Sequence, residues 1–309
     1  MTLVEAEEVA TRHSTAPTET IEPVQPIRVQ GKFFFIGDKK HFIRGITYGP
    51  FATGSHGAPF PEHNIVETDF ALMAEAGINT VRVFTVPPGW LLDEAERAGL
   101  RLLVGLPWSQ HIAFLDSAAT QMQIHETIVA GVRQCRRHSA VFAYLIGNEI
   151  PPDMVRWHGA AAVRRFLRSL VNCVKAEHPE ALVSYANYPS TEYLTVDFTD
   201  FVCFNVYLHD QAAFRRYVAR LHNVAVDQPL VLTEFGVDSF SEGEVEQRRI
   251  LSWQVQTAFE AGAAGTFIFS WTDEWFTGGY QVENWAFGLV DRNRRPKPAF
   301  AEVARQYRG

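Results

Sequence analysis

The 309-residue chain is 47% hydrophobic and 20% charged, an ordinary globular composition with enough apolar material for a large core. Its formal net charge of −7 is spread without a long single-sign block, which disfavours a nucleic-acid or anionic-membrane partner, because both call for clustered Lys and Arg. Cys135, Cys173 and Cys203 lie far apart within apolar patterns and read as buried free thiols, not as a zinc site or disulfide scaffold.

Residues 1–26 read as a disordered tail or linker that ends in the proline-spaced "IEPVQPIRV". No basic start followed by an apolar stretch occurs there, so no secretory signal is expected. No segment reaches the roughly 18 consecutive apolar residues of a membrane span. A cytoplasmic protein, or a domain of a longer one, is the expectation. "VQGKFFFIGDKKHFIRG" alternates apolar and polar residues around "GDKK", the pattern of a short β-hairpin.

From Phe42 onward, eight apolar runs of strand length follow one another: "FIRGITYGPF", "INTVRVFTVP", "LRLLVGLPW", "AVFAYLIGNE", "ALVSYANY", "DFVCFNVYL", "PLVLTEFG" and "AAGTFIFSW". Between them, stretches such as "NIVETDFALMAEAG" and "AAAVRRFLRSLVNCVKAEH" return apolar residues every three or four positions, as amphipathic helices do. The fifth connection, "PSTEYLTVDFT", has room for only a helical turn. "AEAGINTV", "ERAGLRLL" and "FEAGAAGTF" each place Gly just past a helix, where a left-handed cap is wanted. Strand–helix alternation with nearly continuous apolar strands predicts a parallel sheet covered by helices, and eight units fit closure into a (β/α)8 TIM barrel. The alternative, an open doubly wound sheet, lacks its Gly-x-Gly-x-x-Gly turn. A single catalytic domain over residues 27–309 is therefore expected.

In such a barrel, functional groups sit at the C-terminal ends of the strands. Read in order, those ends carry Tyr48; Arg82; Trp108 with His111; Asn148 and Glu149; Asn187 and Tyr188; Asn205 and Tyr207; Glu234; and Trp271 followed by Asp273 and Glu274. Burial disfavours a charged carboxylate, so Glu149 and Glu234 each need a reason to be there. Two carboxylates facing one cavity can divide labour, one ionised and attacking, the other protonated and donating to a leaving oxygen. That is the chemistry of glycoside hydrolysis, with retention or inversion set by the distance between them. Arg82 and the Tyr207 hydroxyl can hold one carboxylate ionised, Asn148 can meet a sugar hydroxyl, and Trp271, Trp108, Tyr48 and Phe84 offer flat faces for a pyranose. A lone Glu at a strand end is more often a cap or an ion-pair partner. Only the conjunction carries the reading.

These residues resemble the clan A glycoside hydrolases, most closely the catalytic barrel of family 2. "IGNE" looks like the acid/base motif, "LTEFG" the nucleophile motif, "NTVRVF" the second-strand arginine motif and "FNVY" the sixth-strand motif. "FSWTDEW" resembles the eighth strand, and "WAFGLVDRNRRPKPAF", residues 285–300, the segment leading into the last helix. The resemblance implies a retaining β-glycosidase with Glu234 as nucleophile and Glu149 as acid/base. Substrate would be bound by Arg82, Asn148, Tyr207, Trp271, Trp108, Tyr48, Asn205 and His111. It implies no metal and no cofactor. "YGPF" resembles the start of clan A barrels acting on β-glucans, so a β-glucan is the expected carbohydrate partner. A transglycosylase using the same two glutamates and a non-catalytic carbohydrate-binding barrel are the alternatives.

Overall fold

The computed structural model describes residues 25–309; the tail expected over residues 1–26 lies outside the described residues up to position 24. Three short strands come first, β1 (Ile27–Gln30), β2 (Phe33–Ile36) and β3 (Lys39–His41), paired antiparallel in the order β1-β2-β3. The expected hairpin is β2–β3, with β1 added to its edge.

The eight apolar runs form β4 (Ile43–Tyr48), β5 (Thr80–Val83), β6 (Arg101–Gly105), β7 (Val141–Asn148), β8 (Leu182–Asn187), β9 (Val202–Asn205), β10 (Leu230–Phe235) and β11 (Gly265–Ile268). All neighbours are parallel, and β11 pairs with β4 to close the barrel. The helices are α1 (His63–Glu75), α2 (Gly89–Arg97), α3 (Ala118–Cys135), α4 (Pro152–His158), α5 (Ala160–Glu177), α6 (Gln211–Ala225), α7 (Ser239–Glu242), α8 (Glu244–Glu260) and α9 (Pro298–Arg308). The fifth connection holds only a 3-10 turn at Pro189–Thr191. A two-stranded ribbon, β12 (Phe276–Thr277) and β13 (Tyr280–Gln281), stands on the loop after β11. Among the described residues, no helix is long and apolar enough to cross a membrane.

The local chemistry explains the boundaries. Gly77, Gly99 and Gly262 follow α1, α2 and α8 with φ of +82°, +71° and +92°, the left-handed region that only glycine enters at little cost. Ser117 and Asp210 cap α3 and α6, accepting from Thr120 N and Ala213 N at 3.3 and 2.7 Å.

The apolar residues separate into two layers. Outward-facing strand residues pack on the helices, as Val81, Val104 and Leu232 do. Inward ones, including Leu103, Leu145, Val231 and Phe267, fill the barrel. Phe34 of β2 reaches into this inner layer, with ring centroids 5.2 Å from Phe142 and 5.4 Å from Phe201, both edge-on. The hairpin is thus a plug at the end of the barrel opposite the strand C-termini. Phe34→Ala should cost about 3–5 kcal/mol, read as a lower urea midpoint; an unchanged midpoint would show that the hairpin does not close the core.

Candidate active site

The residues that end the apolar runs converge above the inner layer. Register shifts between β7 and β8, at Leu145/Asn148, and between β9 and β10, at Leu232/Glu234, interrupt the ladder beside both carboxylates. Such irregularities re-aim side chains at a barrel rim. Glu149 leaves β7 with φ of +50°, a region costly for any residue with a Cβ. The turn is held because Glu149 N donates to Ala186 O at 2.9 Å and Ile150 N donates to Tyr185 Oη at 2.8 Å.

Glu234, 7% exposed, is clamped on both oxygens. Arg82 Nη1 donates to Oε1 at 2.6 Å and Tyr207 Oη donates to Oε2 at 2.9 Å. Arg82 also donates to Thr233 O at 2.7 Å and, through Nη2, to Asn148 Oδ1 at 2.8 Å. Although Tyr207 is 40% exposed as a residue, the burial of its hydroxyl end and the Glu234 charge hold its phenol well above the usual range. Its hydroxyl therefore remains a donor. The guanidinium and the phenol together fix the direction of both Glu234 oxygens.

Glu149 has the opposite surroundings. Burial pushes it up and the Glu234 charge adds to this, against a 2.8 Å hydrogen bond from Asn205 Nδ2 and the more distant Arg82, so that its pKa is raised to about 7. Asn205 also donates to Asn148 Oδ1 at 3.1 Å and accepts from Thr233 Oγ1 at 2.8 Å. With Asn148 Oδ1 taken up by Arg82 and Asn205, its amide nitrogen is left as a donor for a ligand.

Both carboxylates and Asn148 line one cleft of about 510 Å3, walled by Phe84, Tyr188, Tyr207, Phe269, Trp275, Trp285 and Phe287. The aromatic rings run in a chain. Trp275 lies 5.4 Å from Phe84, 5.0 Å from Phe269 and 5.6 Å from Trp285 between centroids, and Trp285 lies 5.7 Å from Phe287. A second lobe of about 380 Å3 shares Phe84 and Asn148 and is lined by Arg82, Trp108, Gln110, His111 and Thr277. Among the described residues, no group of three or more His, Cys, Asp or Glu is placed to hold a metal ion.

The catalytic and substrate-binding residues that the resemblance implies fall into three groups. Arg82, Asn148, Glu149, Asn205, Tyr207 and Glu234 form one hydrogen-bonded set. Trp108 and His111 border the second lobe, with the Trp108 ring held edge-on by Phe114 and Phe166 and its Nε1 donating to Ile146 O at 2.7 Å. Tyr48 and Trp271 do not reach the cleft, and the expectation that they bind substrate is corrected. Tyr48 lies on the outward side of β4, 1% exposed, with Oη donating to Asp69 Oδ2 on α1 at 2.8 Å. Trp271, wholly buried, lies beyond the end of β11; its N donates to Thr47 O at 2.9 Å and its ring packs against Phe300 of α9. The flat face expected of Trp271 is supplied instead by Phe269, Trp275 and Trp285. Trp275 and Trp285 stood in the quoted "FSWTDEW" and "WAFGLVDRNRRPKPAF", the only signal that marked them. Gln110, whose Oε1 accepts from Asn148 N at 2.7 Å, carried none.

An eight-stranded parallel barrel with an Asn-Glu pair ending its fourth strand and a clamped Glu in its seventh defines a clan A glycoside hydrolase. Comparison with known proteins gives the family. A family model described as glucanosyltransferase, glycoside hydrolase family 72, matches residues 16–279, and the chain belongs to that family. The 1,3-β-glucanosyltransferase gel1 of Aspergillus fumigatus is 23% identical over 265 residues, covering 78% of this chain and 58% of gel1. The 1,3-β-glucanosyltransferase gas5 of Schizosaccharomyces pombe is 26% identical over 132 residues, 40% of this chain and 26% of that protein. This chain thus spans little more than half the length of gel1. Among solved structures, a family 2 β-galacturonidase from Eisenbergiella tayi superposes with a TM-score of 0.78 at 18% identity, over 92% of this chain and 54% of the other. A β-glucuronidase from Bifidobacterium dentium gives 0.76 at 18%, over 92% and 49%. At that identity the likeness is one of fold. The clan expected from the sequence is the one found; the family model is that of the glucanosyltransferases, while these solved relatives are glycosidase barrels.

The position of Glu149 sets a pH dependence of stability. Its carboxyl is protonated more readily folded, at about 7, than at its ordinary value of 4.5. Below 4.5 both states carry the proton and nothing is lost; as pH rises toward 7 the folded state loses stability, by up to ~3 kcal/mol once both are ionised. Glu149→Gln, which keeps an oxygen for Asn205, should therefore raise the melting temperature at pH 8 and leave it unchanged at pH 4. An equal shift at both pH values would contradict the assignment. Glu234→Gln, by removing the neighbouring charge, should lower the Glu149 midpoint followed by difference infrared spectroscopy.

Proposed function

We propose that this barrel is a retaining β-glucan transglycosylase in which Glu234 is the nucleophile and Glu149 the general acid and then base. The observation that carries the reading is the asymmetry of the two carboxylates in one cleft: Glu234 takes a hydrogen bond on each oxygen, from Arg82 and Tyr207, while Glu149 is pushed to about 7. In the first step a Glu234 oxygen attacks the anomeric carbon while Glu149 gives its proton to the departing glycosidic oxygen, forming a covalent glycosyl-enzyme. Esterification removes the Glu234 charge, one of the causes that raise Glu149. Glu149 then ionises more readily, as a base must. In the second step it takes the proton of an incoming hydroxyl, whose oxygen attacks the anomeric carbon, breaks the bond to Glu234 and releases its carboxylate as the new β-linkage closes. Asn148 would meet the hydroxyl next to the anomeric centre, a contact that strengthens in the transition state.

Family membership and the names of the relatives support a sugar hydroxyl over water as the acceptor, and a β-(1→3)-glucan as the donor. The aromatic cleft supports it too, since stacking faces hold an acceptor sugar and exclude water. A binding barrel without turnover would be expected to lack part of this set, and every member is in place.

With a β-(1→3)-gluco-oligosaccharide donor, products longer than the substrate should appear; release of shorter products alone would make the protein a hydrolase. Glu234→Gln should lower turnover at least about a thousandfold, and a fluorinated glycosyl donor should label Glu234. Labelling elsewhere would overturn the assignment. For Glu149→Ala, azide should restore turnover of an aryl β-glucoside with a good leaving group and yield the β-glycosyl azide. The wild-type rate on substrates that need acid assistance should decline as pH rises through about 7.

A further inference from the structure

Residues 285–300, singled out in the sequence, contribute no group to the bond-making chemistry, yet two of their cations are nearly buried. Lys297 has a side chain only 4% exposed and spends all three ammonium hydrogens: on Asp273 Oδ1 at 2.6 Å, Ser239 Oγ at 2.9 Å and Ala286 O at 3.0 Å. Arg294, 15% exposed, pairs with the Glu274 carboxylate and lies 3.3 Å from Asp69 Oδ2. The partners are adjacent to the cleft wall in sequence. Asp273 and Glu274 precede Trp275, and Ala286 separates Trp285 from Phe287. Asp273 Oδ1 also accepts from Gly288 N at 2.8 Å, so one carboxylate ties together both ends of the loop that carries the wall.

Removing an ammonium from water is costly, and a buried pair is kept only where its geometry is satisfied. For Lys297 that geometry is fully satisfied, and it fixes a loop. We propose that Lys297 and Arg294 are positioning residues: from one turn they lock residues 272–288 so that Trp275, Trp285 and Phe287 stand as a preformed platform for a glucan chain. The pair sets affinity for an extended chain and leaves bond cleavage to the glutamates. The gain comes from preorganisation, since a wall already ordered before binding spares the complex the entropy of ordering it. The substrate part of this inference rests on the β-glucan reading above.

Lys297→Met keeps the stem and removes the charge. It should raise KM for a β-(1→3)-gluco-hexasaccharide about tenfold while kcat on a small aryl β-glucoside stays within about twofold. Amide hydrogen exchange should quicken over residues 272–288 and not in the barrel strands. If Lys297→Met does not fold, Asp273→Asn, which keeps an oxygen for Gly288 N and Lys297, should give the same split at about threefold. Equal loss of kcat on both substrates overturns the proposal, as does either an unmoved KM or unmoved exchange in the loop. If the unaltered protein turns over no β-glucan, the substrate reading fails by itself, and exchange over 272–288 alone decides whether the two cations position the wall.

Discussion

The buried guanidinium of Arg82 is the constraint on which the site depends. Its side chain is 1% exposed, so its charge has lost its water and must be answered by fixed partners. A planar fork answers in fixed directions. One nitrogen takes Glu234 and the Thr233 carbonyl on β10, the other takes Asn148 on β7, and the guanidinium lies 4.7 Å from the Phe84 ring centroid. Three strands far apart in sequence are thereby held in one register at the barrel mouth.

The difference between the two glutamates follows from that constraint. Arg82 and Tyr207 are spent on Glu234, so the carboxylate on β7 is left with burial, a like charge and one amide from Asn205. The same burial that raises Glu149 strengthens every interaction around it, because the local dielectric is low. Such a site gives up stability, both in the raised carboxyl and in the left-handed turn at Glu149. The layers beneath offset it: the inner barrel residues closed by Phe34 and the outer set packed on the helices.

Much of this was legible in the chain. The eight apolar runs became the eight barrel strands, because a strand covered on both faces needs apolar residues at every position. Glycines after α1, α2 and α8 marked helix ends by backbone chemistry alone. Arg82, Asn148, Glu149, Asn205, Tyr207 and Glu234 could be named because each is a polar residue at the end of an apolar run. Tyr48 and Trp271 also end apolar runs and still face the outer layer. An aromatic ring is equally at home in a core and in a cleft, so position along the chain does not say which side of a strand it takes. Trp275, Trp285 and Phe287 lie outside any strand, and no periodicity announces a loop residue.

The sequence by itself therefore determined the elements, their order and the residue types delivered to the barrel mouth, since these follow from local burial patterns and turn chemistry. Only the tertiary structure decided which side chains share a cavity, which carboxylate is clamped and which is pushed toward neutrality, and which aromatic rings face the cleft. Those outcomes depend on contacts such as Arg82 with Glu234, Asn205 with Glu149 and Lys297 with Asp273. Closure of the barrel creates the first two and the return of the chain after β11 the third, joining residues that no local rule relates.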